Sequence, residues 1–430
     1  MKRYEEYKES GVKWIGKVPS HWEDCKIKFI ASCNDDVLSE KTNTTEIIDY
    51  VEIGDVVYGQ GITNSTQYEF ADAPSRARRI TKKGDIIVST VRTYLKAIAP
   101  IDAIEPIVST GFAVIRPRKI DSLFAAYTFT SDFFVEKVES LSVGVSYPAI
   151  NASQIVNIKI PCPPLPEQRL IASFLDAKTK PIDAIISKRE KQIELLEEMK
   201  SAIISRAVTK GLNPNAKMKD SWIEWIGEVP KHWEDCKIKF IASCNDDVLS
   251  EKTNTTEIID YVEIGDVVYG QGITNSTQYE FADAPSRARR ITKKGDIIVS
   301  TVRTYLKAIA PIDAIEPIVS TGFAVIRPRK IDSLFAAYTF TSDFFVEKVE
   351  SLSVGVSYPA INASQIVNIK IPCPPLSEQR AIASYLDAET SKIDARIAKR
   401  RRQIELLQEY KQALITVAVT GKIDVRGINS

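Results

Sequence analysis

Residues 160–176 read IPCPPLPEQRLIASFLD, and residues 371–387 read IPCPPLSEQRAIASYLD. Each stretch opens on a short apolar run, passes through a cluster of prolines and continues from EQ with apolar residues at helical spacing. Proline lacks the backbone N–H donor and restricts the residue before it, so the prolines mark a boundary between two kinds of structure. The stretch predicts a strand, a turn and the start of a helix, and it occurs twice.

Working outward, the two stretches belong to a long internal repeat. Residues 21–165 are identical to residues 232–376 at an offset of 211, a run of 145 residues without a change. Solenoid repeats are only about 20 to 50 residues long, so each copy must be a domain with its own core. The predicted segments are a first domain at 1–165, central helices at 166–210, a second domain at 211–376 and distal helices at 377–430.

Within the repeat, short β-branched runs bounded by turn residues predict strands at 47–51, 85–89, 111–115 and 155–160. Residues 123–139 predict one helix, because their apolar positions fit a period of 3.6. The EQ motif is expected to begin a short helix that ends near Ala177, with a longer helix beginning at Pro181, a position where proline is tolerated.

Each segment that follows a domain carries a heptad pattern. Apolar residues recur at steps of four and three, with an arginine, Arg189 or Arg400, in one slot of the seam. A helix of about 28 residues is roughly 40 Å long and cannot hide its seam alone. We therefore expect the two helices to pair antiparallel, although coiled coils between chains are an alternative. The seams are Ile182, Ile186, Ile193, Leu196 and Ile203, and Ile393, Ile397, Ile404, Leu407 and Leu414.

These observations predict an α+β fold. Two globular strand-rich domains are separated by two long antiparallel coiled-coil helices, and the whole chain has pseudo-twofold symmetry. No apolar run is long enough to span a bilayer and the start of the chain lacks a secretory signal, so a cytoplasmic protein without membrane contact is expected.

Composition and motifs argue against catalysis by this chain. The six cysteines form no CxxC pair, and with only two histidines, His21 and His232, neither a zinc site nor a disulfide framework has the spacing it requires. The sequence contains no NPPF or DPPY tetrapeptide and no phosphate-binding GxxxxGK[ST] loop. We therefore predict no metal, no bound cofactor and no catalytic residue.

The repeated junctions resemble those between a target recognition domain and a spacer helix in the DNA-specificity subunits of type I restriction-modification systems. The segment WIGKVPSHW at 14–22 resembles the start of such a domain, and ITVAVTGKIDVRG at 415–427 resembles the family's C-terminal end. The resemblance covers nearly the whole chain. It implies a non-catalytic subunit that binds double-stranded DNA, two modification subunits that use S-adenosylmethionine to methylate adenine, and restriction subunits that translocate and cleave DNA.

Net charge is only +1, but residues 76–96 carry seven bases against one acid, a local balance of +6. Cations contact phosphates, whereas planar and amide groups read base edges. We expect Arg76, Arg78, Arg79, Lys82 and Lys83 to contact phosphates, and Arg92, Thr93 and Tyr94 to approach bases. Lys96 is a further DNA-binding candidate. A solvated basic hairpin is the alternative.

Two further loops supply candidate base contacts. Residues 142–154, SVGVSYPAINASQ, resemble a family loop and offer Ser146, Tyr147 and Asn151, although Asn151 could instead cap a turn. The loop YGQGITNST offers Gln60, Thr63 and Asn64. The second copy supplies the equivalents of the main candidates: Arg287, Arg289, Arg290, Lys293, Lys294, Arg303, Thr304, Tyr305, Lys307, Ser357, Tyr358 and Asn362.

The duplication itself makes a prediction about the target. Identical readers related by a twofold axis would read identical half-sites in inverted orientation, separated by a spacer of several base pairs. The competing hypothesis is a coiled-coil adaptor whose duplicated domains bind protein. It predicts no sequence-dependent retention of DNA.

Overall fold

The computed structural model describes residues 2–12, 14–221, 223 and 225–427. Lys13 and Glu224, beside the two WIG segments, and the last three residues of the predicted distal segment lie outside this description. The chain forms two compact units. Unit 1 comprises Met1–Glu190 and Arg401–Ser430, and unit 2 comprises Lys191–Arg400.

Within its described residues, unit 1 contains two four-stranded sheets and three two-stranded ones. The sheets have the orders β11-β10-β13-β4, β8-β5-β12-β9, β1-β2, β14-β3 and β6-β7. The strands are β1 Tyr7–Glu9, β2 Lys17–Pro19, β3 Glu23–Lys26, β4 Ala31–Cys33, β5 Ile47–Val51, β6 Val56–Val57, β7 Gly61–Ile62, β8 Thr66–Glu69, β9 Ala77–Ile80, β10 Ile86–Ser89, β11 Ile98–Pro100, β12 Ile107–Ser109, β13 Phe112–Pro117 and β14 Lys159–Cys162.

Strand β10 is buried on both faces because its side chains alternate between two cores. Ile86 and Val88 pack in the larger core with the helices of the domain. Ile87 points the other way and packs with Val51 and Val108 of the second sheet. The period of two thus places one strand between the helices and the second sheet.

The short helices of unit 1 correct two predictions. They are α1 Ile27–Ile30, α2 Ser122–Phe129, α3 Asp132–Leu141 and α4 Ala152–Ile155. The predicted single helix at 123–139 is wrong because Ser131 is extended, and the hydroxyl of Thr130 bonds to the carbonyl of Ala126 at 2.7 Å. The predicted strand at 155–160 is also wrong at its start, since the chain there first forms α4.

The long helix α5 spans Leu165–Lys210 without interruption, so the predicted break between Ala177 and Pro181 is wrong. Pro181 lies inside the helix on its solvent side. Because proline has no N–H, the backbone carbonyl of Ala177 receives no hydrogen bond from it, and Ala177 is exposed as well. The neighbouring residues Thr179 and Ile182 are buried, and the hydroxyls of Thr179 and Tyr127 are 3.0 Å apart. Packing on the inner side holds the helix through the proline.

The second long helix, α10, spans Leu376–Val419, and in unit 1 it pairs antiparallel with α5. Leu175 and Ala418 share the core of the domain, and farther along the pair Lys411 Nζ donates to Asp183 Oδ1 at 2.6 Å. All the predicted seam residues are buried or half-buried, as are Arg189 and Arg400. The predicted pairing within the chain is confirmed for this unit.

Unit 2 repeats the arrangement with the helices in exchanged roles. Here the end of α5 and the start of α10 pair antiparallel, with Ala207 and Leu386 in one core and Lys200 Nζ 2.7 Å from Asp394 Oδ1. Its strands are β15 Met218–Asp220, β16 Glu228–Pro230, β17 Glu234–Lys237, β18 Ala242–Cys244, β19 Ile258–Val262, β20 Val267–Val268, β21 Gly272–Ile273, β22 Thr277–Glu280, β23 Ala288–Ile291, β24 Ile297–Ser300, β25 Ile309–Pro311, β26 Ile318–Ser320, β27 Phe323–Pro328 and β28 Lys370–Cys373. Its short helices are α6 Ile238–Ile241, α7 Ser333–Thr341, α8 Asp343–Ser351 and α9 Ala363–Ile366.

The predicted α+β class, with two strand-rich domains and long helices, is confirmed. The glutamate and glutamine of each EQ motif, at the start of a long helix, form hydrogen bonds with the adjoining domain. In unit 1, Glu167 accepts hydrogen bonds from Trp22 Nε1 at 3.1 Å and Tyr4 Oη at 2.6 Å, and Gln168 Oε1 accepts from the backbone of Asp121 at 2.8 Å. Among the described residues, no helix is long and apolar enough to cross a membrane.

Candidate nucleic-acid interface

Strand β10 divides the basic segment at 76–96 between two ends of the domain. In its pairing with β13, Ile86 lies opposite Ile115 and Ser89 lies opposite Phe112. Lys82 and Lys83 precede the strand, whereas Arg92 follows it. Since a strand rises about 3.4 Å per residue, these charges lie well over 10 Å apart along the sheet. The continuous basic run in the sequence is not one continuous surface.

Three segments meet at the end of β10 that carries Arg92. The hydroxyl of Thr90 donates to the carbonyl of Gly111 at 2.8 Å, and Thr90 accepts from the N–H of Ile150 at 2.9 Å. The N–H of Thr110 donates to the carbonyl of Arg76 at 2.9 Å. These bonds gather candidates that are far apart in sequence into a surface that we call the loop face. It comprises Arg76, Arg92, Tyr94, Lys96, Ser146 and Tyr147.

The backbone of the loop face is strained at two of its cations. Arg92 and Lys96 have φ of 50° and 52°, in the left-handed region, on either side of a 3-10 turn at Thr93–Leu95. Such a conformation raises the energy of a non-glycine residue by about 1 to 2 kcal/mol and persists only where the surroundings impose it. The second copy has the same conformations at Arg303 and Lys307. Strain held at cations is a feature of functional loops.

The Arg92 guanidinium lies over the ring of Tyr147, with its central carbon 5.7 Å from the ring centroid. Tyr147 is 70% exposed, so this contact orients the arginine without burying it. Among the described residues, neither Arg92 nor Arg76 has a carboxylate within ion-pair distance. Lys96 is more engaged, with its ammonium 5.6 Å from the Tyr58 ring centroid and 3.6 Å from Glu139. The loop face therefore offers uncompensated positive charge beside aromatic rings.

The opposite end of β10 is electrostatically different, because its cations face acids. Lys82 Nζ lies 2.9 Å from Asp36, and the backbone N–H of Lys83 donates to Glu105 at 2.8 Å. Hydrogen bonds from Arg116 and Lys82 lower the pKa of Asp36 to about 2, so this carboxylate is charged at neutral pH. Phosphate contacts by Lys82 and Lys83 remain predictions, but the acids at this end make it the weaker candidate.

Arg78 and Arg79 lie on β9, in the second sheet. The Arg78 guanidinium stacks 5.1 Å from the Phe70 centroid and donates to the carbonyl of Ala77 at 3.0 Å. Arg79 is half-buried, and its Nε has no hydrogen-bond partner among the described residues. Both arginines are thus held within the domain, and their phosphate contacts also remain predictions.

The domain holds two of the predicted base contacts in ways that make them weaker candidates, and their contacts with bases remain predictions. Thr93 and its counterpart Thr304 are each only 4% exposed, because the 3-10 turn directs the side chain inward. Asn151 forms a capping box at the start of α4, with its N–H donating to Gln154 Oε1 at 3.0 Å, and Asn362 does the same in unit 2. The capping alternative therefore holds for both asparagines.

The third candidate loop is partly committed to its own fold. Thr63 Oγ1 donates to the carbonyl of Asp55 at 3.0 Å, and Asn64 Nδ2 donates to the Asp55 carboxylate at 3.2 Å. Gln60 is exposed. The sequence interpretation also overlooked two valines beside the loop face, Val143 and Val145, which are 77% and 102% exposed. Their position between glycine and serine in a loop was the available signal.

Cys162 and His21 both lie near the junction between the first domain and α5, where each is within reach of a residue of the EQ motif. Burial, reinforced by the Cys25 thiol, raises the pKa of Cys162 and so favours the protonated thiol. His21 Nε2 lies 2.8 Å from Glu167, at the junction with α5. Within the described part of the chain, no group of three or more His, Cys, Asp or Glu side chains could hold a metal ion.

Comparison with known proteins gives matches over nearly the whole chain. The family model described as type I restriction modification DNA specificity domain matches twice, at residues 19–195 and 230–406. The putative type I restriction enzyme MjaX specificity subunit of Methanocaldococcus jannaschii is 28% identical over 442 residues, covering 98% of each chain. The MjaVIII specificity subunit of the same organism is 29% identical over 301 residues, covering 68% of each.

Among solved structures, one similar chain comes from work on complex assembly and conformational transition of the type I R-M system. It superposes with a TM-score of 0.65 at 22% identity and covers 94% of this chain and 99% of its own. At that identity the likeness shows a shared fold.

Proposed function

Because the chain belongs to the type I restriction-modification DNA specificity family, we propose that it selects the DNA sequence on which a type I restriction-modification complex acts. Membership confirms the resemblance carried by the EQ junctions. The relatives are named specificity subunits, and the chain is accordingly a non-catalytic subunit. Its partners are DNA and the modification and restriction subunits of the complex. Methylation of adenine and binding of S-adenosylmethionine belong, on this proposal, to two modification subunits.

The loop face is the observation that supports DNA reading most directly. Exposed arginines without carboxylate partners attract phosphates, and an arginine fork stacked on an exposed tyrosine is oriented to meet a base edge. Both copies carry the same feature, since the Arg303 guanidinium lies 5.7 Å from the Tyr358 centroid. We place Arg76 and Lys96 against phosphates, and Arg92, Tyr94, Ser146 and Tyr147 nearer the bases.

The target proposed for this subunit is a palindromic split site. Identical domains should read identical half-sites. Each unit holds its domain on the start of one long helix and the end of the other, so exchanging the units exchanges the helices. On this proposal the two domains read antiparallel DNA strands, so the second half-site is the inverse of the first. Between the half-sites, the paired helices would fix a spacer that is not read.

Methylome sequencing of a strain that carries this chain with its modification subunits tests the proposal. The expected result is one bipartite motif whose two halves are reverse complements. A bipartite motif with unrelated halves would contradict the symmetry while leaving the DNA-reading role intact.

A gel shift of the complex on genomic fragments tests the role itself, because a protein-binding adaptor predicts no sequence-dependent retention. The duplication supplies a matched control for this assay. Arg92→Ala alone and Arg303→Ala alone should weaken binding by the same factor, since each removes one of two equivalent readers.

A further inference from the structure

Val145 lies in an unusual position for an aliphatic side chain. It is 102% exposed, and its counterpart Val356 is 101% exposed, so neither valine contacts the rest of its own domain. Single exposed apolar residues are ordinary on protein surfaces. A valine that protrudes entirely, at the same place in both domains and beside uncompensated cations, calls for a partner outside the chain.

The loop that carries Val145 is a braced hairpin rather than a loose segment. The N–H of Val143 donates to the carbonyl of Ala149 at 2.8 Å, and the reverse bond is 3.0 Å long. Gly144 turns the chain with φ of 117°, where a Cβ would lie 3.1 Å from the Tyr147 carbonyl. Val145 is therefore presented at the tip of a short loop that a single backbone bridge closes.

The loop that carries Val145 is fixed to the loop face. Ala149 pairs with Val91, directly before Arg92, and Tyr147 lies beneath the Arg92 guanidinium. When the loop face approaches a duplex, the tip must therefore approach the same bases. The major groove is the wider groove of B-DNA, and the only apolar group on its base edges is the 5-methyl group of thymine.

We propose that Val145 and Val356 each contact the 5-methyl group of a thymine in the half-site read by their domain. The inference rests on the proposed DNA-reading function and adds one base to it. The valine makes thymine preferable to cytosine and to uracil at that position, because only thymine offers an apolar surface to bury.

Replacing thymine with deoxyuridine removes that methyl group and nothing else, so it provides the test. Binding of the full chain with its modification subunits is measured on duplexes carrying the motif found by methylome sequencing. Each thymine of the half-sites is replaced in turn. At one position of the half-site we expect deoxyuridine to lower affinity about fourfold, which is the value of burying one methyl group. When both half-sites carry the replacement, affinity should fall roughly fifteenfold, the value of two methyl groups.

The variant Val145→Ala with Val356→Ala should lose this dependence on the methyl group while keeping specific binding. Val37→Ala with Val248→Ala is the matched control, because these valines are 52% and 53% exposed but lie at the Asp36 end of the domain. The control should retain both affinity and thymine dependence.

Three results would overturn the inference: a half-site without thymine, no position sensitive to deoxyuridine, or equal sensitivity in the alanine variant. The last would also follow if the valine merely wedged between bases. Absence of any sequence-dependent retention would instead refute the proposed function, so the two failures are distinguishable.

Discussion

Arg116 provides the sharpest test of how the domain holds its reading end in place. Its Nε and Nη2 donate to the two oxygens of Asp85 at 2.9 and 2.8 Å, and its Nη1 donates to Asp36 at 2.6 Å. The side chains of Asp85 and Arg116 are only 2% and 13% exposed. Asp85 directly precedes β10, the strand that ends at the loop face. Arg116→Gln would leave a buried carboxylate without its counter-charge.

Breaking a buried ion pair from one side costs about 3 to 5 kcal/mol, whereas an exposed pair is worth at most about 1 kcal/mol. For a unit of this size, 1 kcal/mol shifts the melting temperature by roughly 2 to 4 °C, so a fall of roughly 6 to 20 °C is expected. Arg327→Gln should have the same effect on unit 2, where Arg327 lies 2.7 Å from Asp296.

Differential scanning calorimetry of the wild type, each single variant and the double variant provides the assay. Each single variant should gain one early transition of similar size, and the double variant should shift both domains. Arg116→Gln combined with Asp85→Asn should be less destabilised than Arg116→Gln alone, because a neutral amide needs no counter-charge. A loss below about 1 kcal/mol, or no recovery in the combined variant, would refute the reasoning.

Three further predictions concern charge and backbone. Arg92→Ala with Arg303→Ala should relax base choice in a binding-site selection, whereas Lys82→Ala with Lys293→Ala should change affinity and its salt dependence little, because Lys82 lies beside Asp36. The pKa of Asp36 and of Asp247 is lowered to about 2, so their contribution to the stability of the folded domains is present above about pH 4 and is lost as pH falls toward 2. In the variant Asp36→Asn with Asp247→Asn, the urea midpoint of unfolding should depend less on pH over that range. Gly421→Ala should lower the melting temperature more than Gly211→Ala, because a Cβ at Gly421 would overlap the ring of Pro19, whereas a Cβ at Gly211 would lie 3.1 Å from Trp233. Equal losses would show that the positive φ alone determines the loss of stability.

Periodic features were predictable from the sequence, because they depend on local spacing. The seam from Ile182 to Ile203 follows from the heptad, and the strand at Ile47–Val51 has the predicted bounds. Features set by distant partners were not predictable. Lys82 faces Asp36, which lies 46 positions earlier, so the local charge balance gave no sign of it. Pro181 indicated a helix start, but the inner face of α5 is held by packing.

The candidate site shows the same division. Sequence identified the segments at 76–96 and 142–154 but could not assign residues to faces, because burial is decided where the segments meet. Thr93 sits between two exposed neighbours in sequence, yet it is buried because a 3-10 turn folds it beneath the hairpin, with its N–H 3.4 Å from the carbonyl of Pro148. The sequence of a loop therefore identifies candidate DNA contacts, but the contacts within the folded domain determine which of those side chains are exposed.

The two helix ends that meet identical domains reveal which part of the junction is constrained. Helix α5 ends in VTKG and the C-terminal helix in VTGK, so lysine and glycine stand in opposite order. Nevertheless, Lys210 Nζ donates to the carbonyls of Ile226 and Glu228, and Lys422 Nζ donates to those of Ile15 and Lys17, which occupy the same positions of the repeat. The glycines also serve alike, with φ of 71° and 70° beside Trp233 and Trp22.

Other junction positions differ freely. Ser201 donates to Asp343 in unit 2, whereas the equivalent position in unit 1 is Gln412, whose Oε1 is buried without a hydrogen-bond partner among the described residues. The lysine and the glycine make the same contacts in either order, and both helix ends also bury an alanine and a valine in the domain core, Ala207 and Val208 in one and Ala418 and Val419 in the other. Because both helix ends offer the same contacts, identical domains can sit on helices of different sequence, and the two halves have this pattern: residues 21–165 and 232–376 are identical while the helices that follow them differ.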